Sequence, residues 1–105
     1  NLFNLYNLMN YPNPFSYETT FSFDHDSSEQ PLFIHLEVFD LIGTKLYHYE
    51  EILEYSNSHV DGIIWNGNDM NNNIVPQGIY IYKLHVKNLY DNSSITTFNK
   101  IIKTY

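Results

Sequence analysis

Apolar and polar residues alternate with period two along most of this chain, the spacing of strands that bury one face. Glu18 to His25 puts Thr19, Phe21 and Phe23 on one side and Thr20, Ser22 and Asp24 on the other. Leu32 to Asp40 directs Ile34, Leu36 and Val38 inward and His35 and Glu37 outward. Lys45 to Leu53 returns through Leu46, Tyr47 and Tyr49, and Glu50, Glu51 and Glu54 make its end acidic. Val60 to Trp65 predicts a short strand. The clearest alternation is Ile79 to Val86, where Tyr80, Tyr82, Leu84 and Val86 oppose Ile81, Lys83 and His85. Ser94 to Lys103 closes the chain as a strand carrying Ile95, Phe98, Ile101 and Ile102.

The breaks between these runs have turn chemistry. Asp26 to Pro31 is a polar loop closed by proline, and Gly43 supplies a positive φ to the Asp40–Thr44 turn. Asn66 to Asn73 holds six Asn/Asp residues in eight positions, and Tyr90 to Ser93 turns the chain again. Trp65, the single tryptophan, is the natural centre of a small core. Trp65-Asn66-Gly67-Asn68-Asp69, followed by Gly78-Ile79-Tyr80-Ile81-Tyr82, predicts a β-hairpin. Residues 1–10 interleave apolar residues with asparagine at neither spacing and read as a linker passing into a first edge strand. Tyr11-Pro12-Asn13-Pro14-Phe15 is a rigid corner, because two prolines each fix φ and remove a donor. The predicted class is all-β, a sandwich of about seven short antiparallel strands.

Composition agrees and narrows the function. Of the 105 residues 17% are aromatic, and alanine is absent. Aromatic and β-branched residues suit a pleated, half-buried surface. Five lysines and no arginine stand against twelve acids, a net charge of −7. Binding phosphate backbones rests on Arg/Lys clusters, so nucleic acid is not an expected partner, nor is an anionic membrane surface. No segment has the length of a membrane span, and direct insertion is not expected. Cysteine is absent, which removes disulfides, thiolate metal sites and a thiol nucleophile.

Residues that carry chemistry elsewhere have ordinary readings here. Asp24, His25 and Asp26 are a candidate oxygen-donor metal site, but a solvated strand end is the more ordinary reading. The Asn66–Asn73 loop lacks the alternating acids and closing glutamate of an EF-hand. The five histidines show no zinc spacing. No serine lies in a glycine elbow, and Glu50 and Glu51 point to opposite faces of a strand, so neither nucleophilic nor acid–base catalysis is expected. Neither an enzyme nor a cofactor is predicted. The last strand is of another kind: a terminal element at a sheet edge exposes backbone groups that a partner, or a second copy, can extend.

Five segments occur in order: Tyr11-Pro12-Asn13-Pro14-Phe15, Thr19-Thr20-Phe21, Val38 to Gly43, Trp65 to Asp69, and Val75 to Leu84. Together they resemble the C-terminal sorting domain of the type IX (Por) secretion system of Bacteroidetes, and are similar to the immunoglobulin-like domain of flagellar hook-capping proteins. Within the sorting domains, the Asn10–Phe15 opening, the Thr19-Thr20-Phe21 strand ending in Asp24-His25-Asp26 and the long Glu51–Asp61 insertion before Ile64-Trp65 are most similar to the PorU, gingipain-sortase-like, family, in which a cysteine-peptidase part lies upstream. The resemblance implies an immunoglobulin-like fold over residues 11–105, read as a C-terminal fragment of a larger protein. Its structural residues would be Tyr11, Pro12, Asn13, Pro14, Phe15, Asp40, Gly43, Trp65, Gly67, Gly78, Tyr80 and Tyr82. It also implies a non-catalytic role, in which the translocon reads the domain after Sec export to the periplasm and an outer-membrane β-barrel shuttle protein then binds it at the cell surface. Recognition would fall on Phe98, Asn99, Lys100, Ile101, Ile102 and Lys103. The chain departs from the family pattern at Thr44-Lys45, at Asn66 and at Lys103-Thr104-Tyr105. The other reading is an immunoglobulin-like spacer or adhesion module of a surface protein, with a carbohydrate-binding module as a third class.

Overall fold

The computed structural model describes residues 3–105 of the chain. Seven strands run in sequence: β1 (Leu5–Tyr11), β2 (Thr19–His25), β3 (Leu32–Phe39), β4 (Lys45–Leu53), β5 (His59–Trp65), β6 (Gly78–Asn88) and β7 (Ser94–Lys103). They form two antiparallel sheets, ordered β1-β2-β5 and β4-β3-β6-β7. This is the seven-strand arrangement of an immunoglobulin-like sandwich, with the fourth strand beside the third instead of in the first sheet. The first edge strand expected near the start runs from Leu5 to Tyr11; Asn1 and Leu2 lie outside the described residues.

The hairpin predicted from Trp65 to Tyr82 is not formed. β5 and β6 belong to different sheets, so the Asn66–Gln77 segment crosses between layers. Turn residues mark a reversal of direction, but the same Asn/Asp/Gly chemistry serves a hairpin and a crossover, and only the facing partners decide. β6 pairs with β3 over eight residues and with β7 over ten. Those ladders place β6 in the middle of the larger sheet, which leaves β5 to pair with β2.

Both inner faces follow the alternation. Thr19, Phe21 and Phe23 in β2 are buried, as are Leu32, Ile34, Leu36 and Val38 in β3 and Tyr80, Tyr82, Leu84 and Val86 in β6. His25 continues the buried row of β2. Its Nε2 lies 2.7 Å from the Asn57 carbonyl, and its Nδ1 accepts from the Ser27 amide at 3.1 Å. Among the described residues, three register shifts mark where the period fails; in β5 one between Val60 and Ile63 leaves both Asp61 and Gly62 exposed, and two others stand out. A register shift between Val38 and Phe39 lets both Leu46 and Tyr47 pack against the core. A second, between Tyr6 and Met9 of β1, surrounds Asn7, which has a positive φ of 56°. Trp65 sits at one end of the core with no exposed surface, its ring 5.5 Å from Phe15, 6.0 Å from Tyr47 and 6.3 Å from Tyr80.

Candidate functional site: the edge of the last strand

β7 borders the four-stranded sheet, and the proline corner is folded onto part of it. The odd-numbered residues face the core or its margin: Ile101 is fully buried, Lys103 is 7% exposed, and Ile95 packs against the core. The even-numbered residues face outward and direct their backbone groups away from β6. Four contacts define that direction. The Phe15 amide donates to the Ile102 carbonyl (2.9 Å) and the Thr104 amide to the Phe15 carbonyl (2.8 Å). The Ile102 amide donates to Asn13 Oδ1 (2.9 Å), and Asn13 Nδ2 donates to the Lys100 carbonyl (3.2 Å). Phe15 forms a parallel bridge with Lys103. The corner is thus a short strand surrogate that satisfies the edge from Lys100 to Thr104. The Lys100 amide is also occupied, by Asn99 Oδ1 at 2.8 Å.

Beyond Lys100 the cover ends. Continuing the alternation, Ser94, Thr96 and Phe98 turn their N–H and C=O groups toward solvent, and all three residues are exposed. Phe98 is 61% exposed.

The six residues predicted for recognition therefore divide. Phe98 and Lys100 offer side chains on the outer face, and Ile102 lies there half-buried. Asn99 is exposed but belongs to the inner row, opposite Tyr82. Ile101 is a core residue. Lys103 lays its stem along the core, with Nζ 5.8 Å from the Phe15 ring centre and bonded to the Thr104 carbonyl at 3.0 Å. The backbone opening at Ser94 and Thr96 lies outside the predicted stretch. Its signal was the absence of any proline-corner partner for that half of the strand, which no local pattern displays.

The structural residues converge on the same end of the molecule. Phe15 is buried against Trp65, whose indole N–H donates to the Asn68 carbonyl at 2.9 Å. Gly67 adopts φ +78°, and a Cβ there would lie 2.9 Å from Cε of Lys103 and 3.3 Å from the Phe15 ring. Asn66 accepts from the Asn68 amide at 3.0 Å through its Oδ1, a bond that an aspartate oxygen makes equally well in such a turn. Asp40 accepts from the Ile42 and Thr44 amides, and Gly43 has φ +92°. Gly78 opens β6. The Tyr80 hydroxyl donates to the Pro76 carbonyl, a tyrosine corner at the start of β6. Tyr82 packs edge-on to Phe21, and its buried hydroxyl, with Asn99 opposite it on β7, makes no hydrogen bond of ordinary geometry among the described residues; burial pushes its pKa up to about 12, against the Asn99 side chain, which works to lower it. Tyr11, Pro12, Asn13 and Pro14 are exposed at the corner itself.

Asp24, His25 and Asp26 do not converge. Asp24 accepts from Asn7 (2.7 Å) and lies 2.7 Å from Nδ1 of His59, Asp26 accepts from Asn4, and His25 turns into the core. No group of three His, Asp or Glu side chains arranged to hold a metal occurs among the described residues. His35 and His85, read as outward, are cross-strand partners on the outer face of the larger sheet. Glu37 lies between Lys45 (3.2 Å) and Lys83 (3.6 Å); burial works to raise its pKa, but these lysines and His35 hold it below the usual range.

No protein-family model matches the chain, and no curated protein does. A crystal structure does: dimeric latent PorU from Porphyromonas gingivalis, with a TM-score of 0.81 and 18% identity. The fold is that of a domain of PorU. The superposition covers 99% of this chain and 10% of the PorU chain, so the sequence spans about a tenth of the protein it matches. At this identity the likeness is one of fold. The corner, the core tryptophan and the terminal edge strand of this chain thus sit in the same two-sheet frame as that PorU domain.

Proposed function

We propose that this chain is a non-catalytic C-terminal secretion and anchoring domain, which targets a larger protein through the type IX system to the outer-membrane surface. The parent in this reading is a sortase-like component with its peptidase part upstream. The observation that carries the proposal is the match to a PorU domain over 99% of the chain, joined to the five ordered motifs from Tyr11 to Leu84. A terminal strand at a sheet edge is suited to the role, since the backbone supplies affinity and alternate side chains supply selectivity. Its receivers are the translocon, met after Sec export to the periplasm, and then the β-barrel shuttle protein at the cell surface.

The test is delivery of a reporter. The domain is fused behind a signal peptide and a fluorescent protein and expressed in a type IX-competent bacterium and in a translocon-deficient strain. Surface or medium delivery confined to the competent strain supports sorting. Periplasmic retention in both strains overturns it and leaves the spacer module. Removing Phe98–Tyr105 is not a clean control, because Ile101 is a core residue and β7 pairs with β6 over ten positions. Phe98→Ser, on an exposed side chain, tests the strand without unfolding the domain.

A further inference from the structure

The uncovered half of β7 lies beside an unusual charge distribution. β6 and β7 hold Lys83, Lys87, Lys100 and Lys103, four of the chain's five lysines, and neither strand contains an acid. All twelve acids lie elsewhere, so a basic ribbon borders an otherwise acidic molecule. Three of these lysines belong to the outer face. Lys83 and Lys87 alternate with the buried Tyr82, Leu84 and Val86, and Lys100 adjoins the buried Ile101. Lys83 reaches Glu37, whereas Lys87 and Lys100 have no carboxylate within ion-pair distance among the described residues. Apolar side chains lie between them: Phe98 is opposite Lys83, and Ile81 is opposite Lys100. His85, in the middle of β6, has its pKa lowered by burial first and then by His35, Lys83 and Lys87.

We propose that the Ser94–Phe98 edge is a docking strand for an extended acidic segment of another protein, added to the four-stranded sheet beside β7. One of its carboxylates meets the Lys87 ammonium, which extends across Ser94 from β6, another meets Lys100, and an apolar residue covers Phe98. The inference deepens the recognition role of β7 and rests on it for the identity of the strand. Three outward residues over five positions span about 17 Å at strand rise, room for a short extended segment. The corner stops the addition at Lys100, where the edge is already bonded. Charge selects the occupant: a two-fold β7–β7 contact sets two basic ribbons side by side, whereas an acidic strand neutralises one.

The test uses three fluorescein-labelled peptides of about seven residues, built for strand rise, whose outward positions are glutamate, lysine or serine except for one valine placed to meet Phe98, with threonine at the positions between. Anisotropy is measured against the 105-residue chain at about 50 and 300 mM salt. The glutamate peptide is expected to bind at least about tenfold more tightly than the lysine peptide and to weaken with salt. Thr96→Pro is expected to abolish binding, since its N–H points away from β6 and proline there removes a donor only from the added strand. Should Thr96→Pro not fold, as judged by circular dichroism, Lys87→Glu with Lys100→Glu carries the test and is expected to invert the preference. Equal binding of the glutamate and lysine peptides, no binding, or binding indifferent to both variants overturns the proposal. So does a concentration-dependent dimer that Thr96→Pro dissolves while no peptide binds, which assigns the edge to a second copy. Reporter delivery separates the two readings. Delivery lost in Thr96→Pro without peptide binding removes the acidic partner and keeps sorting, whereas peptide binding without delivery removes sorting and keeps the docking strand.

Discussion

Single residues carry sharp consequences at the Trp65 end and in the centre of the larger sheet. Among the described residues the Tyr82 hydroxyl is buried with no hydrogen bond of ordinary geometry, although Asn99 stands opposite it, and an unsatisfied buried hydroxyl costs about 1–3 kcal/mol. Tyr82→Phe keeps the ring against Phe21 and is expected to raise stability by about 1 kcal/mol in urea unfolding; a loss of stability shows that the hydroxyl is partnered in solution. Gly67→Ala should act oppositely, because φ +78° disfavours a Cβ and Lys103 stands 2.9 Å away. The expected loss is about 1–3 kcal/mol, and an unchanged urea midpoint refutes the close approach. Both positions illustrate what is legible locally. The glycine after Trp-Asn was recognisable as a turn residue, but its contact with the end of β7 required the fold.

Between elements, side chains fasten β7 to the corner and β1 to β2 and β5. Asn13 alone accepts from the Ile102 amide and donates to the Lys100 carbonyl. Asn13→Ala should release this clasp at a cost of about 1–2 kcal/mol, given two ordinary hydrogen bonds. Hydrogen exchange at the Ile102 amide is expected to accelerate while exchange at the Ile101 amide, on the β6 side, stays slow; equal acceleration at both means that the strand opens as a whole. The exposed Asp24–His59 contact is governed by pH. The pKa of His59 is raised, first by its hydrogen bond to Asp24 and further by the charges of Asp24 and Asp61. That of Asp24 is lowered, first by Asn7 and then by His59. A raised histidine pKa stabilises fully below its unfolded value and is lost as pH rises through the folded one; a lowered aspartate pKa stabilises above its unfolded value and is lost as pH falls. The contact therefore contributes between about pH 4 and 6.5 and fades on both sides. The Tm difference between parent and His59→Gln is expected to be largest between about pH 4 and 6.5 and to shrink as pH rises above that window; a difference constant with pH refutes it.

For the whole molecule, the separation of charge matters more than its total. A net charge of −7 describes a uniformly acidic protein, yet the β6–β7 strands carry four lysines and no acid. Local fields extend over about a Debye length, roughly 10 Å at 0.1 M salt. At neutral pH and low salt the chain is expected to be retarded on a cation exchanger despite its acidic pI of about 4.9. Lys87→Glu with Lys100→Glu should abolish the retardation, and a parent chain that passes unretarded shows that the ribbon is masked. The same scale explains the misread crossover. Whether Asn66–Gln77 closes a hairpin or changes sheets is set by the eight-residue ladder between β3 and β6, strands more than thirty residues apart in sequence.

Side-chain period, turn residues, high aromatic content and the absence of alanine determined the all-β class. The period and turns also gave six of the strands nearly to their ends and the buried rows of β2, β3 and β6, because these depend on neighbours within a few residues. The five ordered motifs pointed to a PorU-type domain, and the structure has the fold of a domain of PorU. Tertiary structure alone decided that β5 and β6 lie in opposite sheets and that His25 is a core residue. It also decided that Ile101 and Lys103 turn inward and that the corner seals one half of the last edge while leaving Ser94–Phe98 open. Each depends on which distant backbone groups satisfy one another's hydrogen bonds, and that pairing is set by the packing of both sheets together.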